Sequence, residues 1–340
     1  MTRGDDVKVA VVGVGRWGLN HLAKLVALLG PERVAFYDAD AERARAAEER
    51  YPEVAALRSW EEFLEGEYRA AVIAAPAARH AELAQTALAA GKDLLVEKPL
   101  ALTPADAAAL LLLAEEKKAV LMVGHILLFD PAFEALKDMV AAGELGDIKY
   151  ITAARAKLGT IRLEEDVTFS LAAHDVALAL WLLEEEPALT SGVAVDARGA
   201  GVADAAFLNL SFNSGVTAHV WASWLYPLET RRFVVVGDEA MAAVIQEQGG
   251  RGELTVYRMG ARGGGAEVYD DGSRVVDVPD VDLLTAELEH FLSCVATRAA
   301  PRADGRQGLE VVKVLAAAQK SAAAGGAPLR LENSPRPCRY

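Results

Sequence analysis

Residues 9–22 read VAVVGVGRWGLNHL. The core of this stretch, Gly13-Val14-Gly15-Arg16-Trp17-Gly18, fits G-x-G-x-x-G, and its surroundings limit what the chain can fold into more than any other feature. The β-branched run Val7–Val12 precedes it. Trp17–Leu29 follows, with Leu22, Leu25, Val26 and Leu29 at helical spacing. Strand, glycine turn and helix in that order open a βαβ unit. Gly13 permits the tight turn, Gly15 leaves room for a pyrophosphate against the backbone, and Gly18 lets the helix pack closely. The helix start, at Arg16, Trp17 and Gly18, offers N–H groups and a positive dipole end to phosphates. Asp38 ends the next strand, twenty residues after Gly18. An acid there accepts hydrogen bonds from ribose hydroxyls and repels a 2′-phosphate, so the turn is expected to take NAD in preference to NADP. A plain glycine turn beside a surface aspartate is the competing interpretation, and the register of strand, turn, helix and acid speaks against it.

The alternation continues to about residue 125. Val34–Tyr37, Ala71–Ala75, Leu94–Glu97 and Val120–Gly124 read as strands, and Ala41–Tyr51, Ala78–Ala90 and a segment from Pro104 to Lys118 as helices. Ser59 with Glu62 reads as a capping box, Gly91 as a C-terminal cap, and Thr103-Pro104 as an N-cap and first helical position. The series implies a doubly wound parallel sheet of the Rossmann type over residues 1–125. Beyond it the pattern changes. A helix begins at Asp130-Pro131 and ends near Gly143. Ile148–Lys157, Thr190–Arg198, Ala205–Phe212, Val216–Trp224 and Arg232–Val236 read as strands, with a helix at Ser170–Leu183 between the first two. Gly249–Gly265 holds seven glycines and reads as loops around a weak strand. Leu283–Thr297 and Leu309–Ala324 return to helix. Residues 126–332 are therefore expected to form an α+β domain on a large, mostly antiparallel open sheet, with the C-terminal helices packing back on the first domain.

Three further places carry chemistry. Glu97-Lys98-Pro99 lies where a strand ends, on the sheet edge at which ligands of such folds bind. A lysine there can hydrogen-bond a hydroxyl and offset charge developing on its oxygen. His174-Asp175 sits early in the Ser170–Leu183 helix among Leu171, Ala172, Val176 and Leu178. A histidine in that setting is either a satisfied core residue or a general base whose ordinary pKa suits proton transfer at neutral pH. Ser170, four residues earlier, falls on the same helical face. His80 opens the helix after Ala75-Pro76, and His125 ends a strand and can face the same edge. His21 and His290 read as ordinary helix residues. Arg155, Lys157 and Arg162 either bind an anionic substrate group or are surface charge.

Charge and composition close off other classes. Lys and Arg total 35 against 49 Asp and Glu, a net charge of −14, which gives no general attraction to nucleic acid or to an anionic membrane. The two cysteines, Cys294 and Cys338, form neither a disulfide framework nor a metal-type spacing, so no metal is expected and a reducing compartment fits. The longest apolar stretches fall short of a membrane span, and Met1–Asp6 has no apolar core like that of a signal peptide. A soluble cytoplasmic protein is expected. In the run from Val216 to Trp224, Thr217, His219 and Trp221 alternate with residues suited to a core. An open, partly apolar sheet face of this kind tends to find a partner.

Together these segments resemble the glucose-fructose oxidoreductase/inositol dehydrogenase (Gfo/Idh/MocA) family over nearly the whole chain. The opening at residues 9–22 looks like the family's. AAPAARHAELAQTALAAGKDLLVEKPLALT is similar to its central block, GHILLFDPAF to the start of its second domain, and LGTIRLEEDVTFSLAAHDVALALWLL to its catalytic segment. The last helices, from ELEHFLSCVATRAAPRADGRQGLEVVKVLAAAQKS, are similar to its closing ones. The resemblance implies an NAD- or NADP-dependent enzyme that oxidises or reduces hydroxyls of sugars, inositols and nucleotide sugars. By it, Lys98 orients the reacting hydroxyl, His174 exchanges its proton, Ala75, Pro76, His80 and Glu97 border the cofactor, and Pro99 is cis as in many members. It also implies sheet-mediated homodimers or homotetramers. The chain departs from the common pattern at Ser170 and Ala177, where many members carry aspartate. Serine at the first position is similar to a branch associated with nucleotide-sugar and amino-sugar-uronate oxidation, although Leu128 stands where that branch often has arginine. The reading reached is an NAD-dependent sugar or nucleotide-sugar dehydrogenase with Lys98, His125, Arg155, Lys157, Arg162, Ser170, His174 and Asp175 about the substrate. An inositol or simple-sugar dehydrogenase and a catalytically silent dinucleotide-binding regulator stay open beside it.

Overall fold

Four short apolar runs of the N-terminal part become strands buried along most or all of their length: β1 (Val9–Val12), β2 (Val34–Tyr37), β4 (Ala70–Ile73) and β6 (Leu121–Gly124). The structure, a computed structural model, describes residues 7–159, 161, 165–246, 252–262 and 267–331. Among these the sheet is completed by β3 (Ala55–Ala56) and β5 (Asp93–Glu97). Helices α1 (Arg16–Leu29), α2 (Ala41–Arg50), α3 (Trp60–Glu65), α4 (Ala77–Ala89) and α5 (Pro104–Lys117) connect the strands. The strand order is β3-β2-β1-β4-β5-β6, parallel throughout, as a doubly wound sheet requires. Burial on both faces is why these strands read as continuous apolar runs and not as alternating ones. The order reverses at β1, which pairs with both β2 and β4, and this switch point is where a crevice opens at the strands' carboxyl ends. The capping residues act as expected. Ser59 Oγ accepts the Glu62 N–H at 3.1 Å, Thr103 Oγ1 accepts that of Asp106 at 3.1 Å, and the Glu62 carboxylate accepts the N–H of Arg58 at 2.6 Å.

This unit comprises the chain up to Phe129 together with Val281–Val312, so it includes helix α8 (Leu283–Thr297), which packs against α1. The second unit comprises Asp130–Asp280 and the chain from Lys313. It holds α6 (Pro131–Ala141), α7 (Ala173–Leu183) and a nine-stranded sheet. In chain order the strands are β7 (Ile148–Ala156), β8 (Pro187–Val195), β9 (Ala205–Phe212), β10 (Thr217–Ser223), β11 (Thr230–Gly237), β12 (Met241–Gln246), β13 (Glu253–Arg262), β14 (Glu267–Val276) and β15 (Leu329–Arg330). The sheet order is β14-β13-β12-β11-β7-β10-β9-β8-β15, antiparallel except where β10 runs parallel to β7. Along β10, Ala218, Val220 and Ala222 are buried while Thr217 and His219 face outward with Trp221, the alternation of a sheet covered on one face.

The middle of the expected Gly249–Gly265 stretch is β13, paired with β12 and β14, with Leu254 and Val256 buried; residues 247–251 and 263–266 on either side lie outside the described residues. One expectation needs correction. The helix expected to begin at Ser170 begins earlier, with a π turn over Thr168–Ala172 that runs into α7. Asp166 supports that turn. Its Oδ1 accepts the N–H groups of Thr168 and Phe169, and its Oδ2 accepts Gln319 Nε2 at 2.8 Å. Among the described residues no helix is long and apolar enough to cross a membrane.

Candidate functional site

The glycine turn is built as its spacing requires. Gly13 adopts φ +88°, and a Cβ placed on it would lie 2.8 Å from the backbone of Ala75. A Cβ on Gly18 would lie 1.7 Å from the carbonyl oxygen of Gly13, so α1 can start this close to the turn only with glycine there. A Cβ on Gly15 would meet nothing within 4 Å, so the space over the turn is open. The helix starts differ in how they are satisfied. Asp40, Ser59 and Thr103 cap α2, α3 and α5, whereas α1 begins on Gly15 with no capping side chain and no acid in its first turn. The N–H groups of Arg16, Trp17 and Gly18 are thus left for an outside acceptor, and the helix dipole favours an anionic one.

Asp38 ties this turn to the next. Its Oδ2 accepts the Val14 N–H at 2.8 Å and its Oδ1 accepts the Asp40 N–H at 2.9 Å. Each carboxylate oxygen has capacity for another donor, as two ribose hydroxyls would supply. Asp38 lines a cavity of about 590 Å³ with Gly13, Tyr37, Ala75, Pro76 and Trp60, within the size range of cofactor pockets. Asp40 also lines it. The backbone N–H groups of Arg43 and Glu42 hold the Asp40 carboxyl below the usual carboxylate range, so two acids face this end of the cavity. The open turn, the uncapped helix and the paired carboxylate suit a dinucleotide.

The sheet edge at the end of β5 carries a buried polar cluster. Lys98 and Pro99 are joined by a cis peptide bond. His80 is buried with Nδ1 2.7 Å from the Pro99 carbonyl oxygen and Nε2 2.8 Å from that of Ala75. It therefore spans the loops after β4 and β5 from beneath. Glu97 Oε1 lies 2.8 Å from His21 Nε2, and its Oε2 accepts the Lys98 N–H at 3.2 Å. Burial opposes the Glu97 charge, but the hydrogen bond and charge of His21, aided by Lys98 and His80, outweigh it and hold the carboxyl below its usual range. Burial first, and then Lys98, push His125 down to about 4, so its buried ring is neutral at pH 7.

In the second unit His174 lies in the first turn of α7, half-buried, and Ser170 is buried in the π turn before it. The wider π turn changes the simple four-residue relation between the two; such turns are frequent at functional sites. Asp175 is buried and accepts two hydrogen bonds from Arg155, from Nε and Nη2, both at 2.9 Å. The two side chains are thus engaged with each other. Lys157 follows β7, half-buried, and Arg162 lies outside the described residues.

Four residues of these surroundings escaped the sequence reading. His21 sits three residues after Gly18, on the sheet-facing stripe with Leu22 and Leu25, and that spacing was a usable signal. Glu287 falls inside the apolar face of α8 made by Leu284, Leu288 and Phe291, an acid in a core stripe. Gly124 faces Glu97 across the β5–β6 pair, where a Cβ would come within 3.1 Å of its carboxylate. Arg231 pairs with Arg155 across β11 and β7 and reaches Gln246 at 2.8 Å. Neither of the last two has a sequence signature.

The fold and this site define the first unit as an NAD-binding Rossmann domain of an oxidoreductase. Residues 7–125 match the model of the oxidoreductase family with an NAD-binding Rossmann fold, and residues 133–243 match the GFO/IDH/MocA C-terminal domain. The chain belongs to the GFO/IDH/MocA family. It is similar to a UDP-N-acetylglucosamine 3-dehydrogenase of Acidithiobacillus ferrooxidans, 33% identical over 320 residues that cover 90% of this chain and 94% of that protein. It is also similar to a myo-inositol dehydrogenase of Streptomyces leeuwenhoekii, 29% identical over 94% of this chain and 99% of the relative. A solved structure of the Acidithiobacillus ferrooxidans UDP-N-acetylglucosamine 3-dehydrogenase superposes with a TM-score of 0.81 at 30% identity, covering 93% of this chain and 97% of that one.

Proposed function

We propose that the protein is an NAD-dependent dehydrogenase that moves a hydride between nicotinamide and a secondary hydroxyl of a sugar or nucleotide sugar. The observation that carries this reading is the uncapped, glycine-built start of α1 beside a cavity walled by Asp38. Bound NAD supplies the hydride acceptor in the oxidative direction. In this reading Gly13 and Gly15 keep the turn low, the N–H groups of Arg16, Trp17 and Gly18 hold the pyrophosphate, and Asp38 takes the adenosine ribose. Ala75 and Pro76 wall the cavity, His80 fixes the loops behind it, and Glu97 borders the cofactor. NAD is favoured over NADP because Asp38 and Asp40 repel a 2′-phosphate.

Lys98 orients the reacting hydroxyl, and its charge offsets the negative charge that grows on the oxygen as the proton leaves. His174 Nε2 takes that proton as general base and returns it in the reverse direction. Neither Ser170 nor Ala177 can add a carboxylate to stabilise the imidazolium, and Asp175 is committed to Arg155. The imidazole acts as the general base, and oxidation rises with pH as it loses its proton. Neutral His125 offers ring nitrogens to the substrate side, Ser170 a hydroxyl, and Lys157 and Arg162 charge for an anionic group. Arg155 acts there through Asp175, fixing the turn that carries His174.

The UDP-sugar dehydrogenase at 33% identity supports a nucleotide sugar, a UDP-amino-sugar uronate among them. The myo-inositol dehydrogenase at 29% identity favours inositol as the second reading. The outer face of the nine-stranded sheet supports assembly into a homodimer or homotetramer. Phe207 stacks on Trp221 with ring centroids 6.1 Å apart, and Tyr150 and Val193 are exposed on neighbouring strands. The buried thiol of Cys294 and the acidic charge suit a cytoplasmic setting. The test is NADH formation across sugars, inositols and UDP-sugars. Turnover of a nucleotide sugar above the others is expected, and binding of NAD without turnover of any carbinol would leave a silent dinucleotide-binding regulator instead.

A further inference from the structure

Trp60 is the first residue of α3, at a place where the helix start needs no aromatic. Ser59 caps that start by accepting the Glu62 N–H, whatever side chain stands between them. Trp60 is half-buried, and its indole is fixed from two helices. Its Nε1 donates to Thr86 Oγ1 on α4 at 2.9 Å, and the ring stacks on the fully buried Phe63 with centroids 5.0 Å apart. Thr86 Oγ1 sends its own proton to the carbonyl oxygen of Leu83 at 3.0 Å or of Glu82 at 3.2 Å, which leaves a lone pair for the indole. A leucine would pack on Phe63 without that bond. The same indole lines the cavity of about 590 Å³ together with Asp38. Tyr37, the residue before Asp38, brings its ring centroid to 6.4 Å from that of Trp60.

We propose that Trp60 is the platform on which the adenine of a dinucleotide lies, held in place for that use by Thr86. This role rests on the reading of the cavity as the dinucleotide site, in which Asp38 takes the adenosine ribose. The base and the two hydroxyls of a nucleoside are carried on one sugar ring, so a base whose ribose is held at Asp38 comes to the wall beside it. The charges of that wall do not call for a further phosphate. Of its arginines, Arg43 lies 3.6 Å from Asp40 and Arg79 lies 3.0 Å from Glu82. A flat, uncharged ring suits a surface on which the charged groups are paired and an indole is already fixed. Stacking on an aromatic side chain holds a base by its π-face, and a ring set in advance loses little freedom when the base arrives. Trp60 therefore contributes affinity through the base, while Asp38 and the glycine turn hold the ribose and the diphosphate.

Calorimetric titration of the full-length protein with NAD, and with ADP, which keeps the adenine, ribose and diphosphate, tests the platform without any turnover. Trp60→Ala should raise both dissociation constants by about tenfold or more, the size of a lost base stack. Thr86→Val keeps the shape and removes the acceptor, and should raise them by about threefold, the size of one hydrogen bond that holds the ring. Fluorescence gives a second readout. ADP should quench part of the tryptophan emission of the wild type. Trp60→Phe keeps a ring for the base and should bind ADP without that quench, the other tryptophans of the five serving as reference. Wild-type affinities for NAD and ADP in Trp60→Ala, or an undiminished quench in Trp60→Phe, would overturn the platform and leave the dinucleotide reading standing. Should the alanine variant fail to fold, the phenylalanine variant decides through the quench. A wild-type protein that binds neither NAD nor ADP would overturn the dinucleotide reading and the platform with it.

Discussion

Two alanine substitutions three residues apart, at Gly15 and Gly18, separate packing from ligand binding in the glycine turn. Gly18→Ala places a Cβ 1.7 Å from the Gly13 carbonyl oxygen and 2.8 Å from its carbon, both backbone atoms that cannot swing away. To reach an ordinary contact, α1 and the turn must part by about 1.5 Å, an overpacking that costs about 1–3 kcal/mol or more. Gly15→Ala meets nothing within 4 Å, and its φ of −67° suits alanine, so it should cost less than about 1 kcal/mol, the scale of a helix-cap change. Thermal unfolding should therefore fall by about 2–4 °C per kcal/mol in Gly18→Ala and hardly at all in Gly15→Ala. Calorimetric titration with NAD should weaken for both variants. In Gly15→Ala the methyl occupies the space over the turn, and a tenfold rise in Kd corresponds to about 1.4 kcal/mol. Wild-type affinity in Gly15→Ala would refute the assignment of that space to a pyrophosphate. Wild-type stability in Gly18→Ala would refute the packing argument.

Asp38→Ser should narrow the ratio of NADP to NAD dissociation constants by about tenfold, since charge repulsion at about 4 Å is worth about 1–4 kcal/mol between bulk water and a protein surface; an unchanged ratio in binding titrations would contradict the role of the carboxylate. Asp175→Ala should cost about 3 kcal/mol in urea unfolding, because it leaves Arg155 in a largely buried place without its carboxylate, and Arg155→Met with Asp175→Leu together should recover most of the loss. Acid should destabilise the first unit through His125. The unfolded histidine takes a proton near pH 6.5 and the folded one resists until about pH 4, so the unfolded chain binds more protons between those values and stability falls as pH drops through them. The loss is about 3 kcal/mol between pH 7 and pH 4, and His125→Phe should remove that part of the slope in urea midpoints taken at several pH values.

Much of the first unit is legible because its signals are local. A buried parallel strand is a continuous apolar run, a helix start is a Ser, Thr or Asp followed by acids, and Asp38 lies at a fixed distance from the turn. β3 escaped because it is only Ala55–Ala56, too short to carry any pattern. β13 reads only as a weak strand because Gly252 and Gly260 dilute its pattern, and its pairing with both β12 and β14 is not local in sequence. The π turn before α7 depends on Asp166 and on Gln319, which is remote in sequence. In the candidate site, the turn, Asp38 and the Glu97-Lys98 edge could be read from spacing. The Arg155–Asp175 pair joins residues twenty apart on a strand and a helix, and only the tertiary fold brings them together. His21 was visible as a polar residue within an apolar stripe, yet its partner, Glu97, comes from another element.

The central role is that of His174 as general base, and the direct measurement is NADH formation by His174→Ala on the best substrate, taken together with NAD binding. The kcat should fall by about 10²–10⁴-fold, the usual general-base range, with the NAD dissociation constant within about twofold of wild type. Turnover near the wild-type rate, with NAD bound as before, would contradict the assignment and pass the proton to another group.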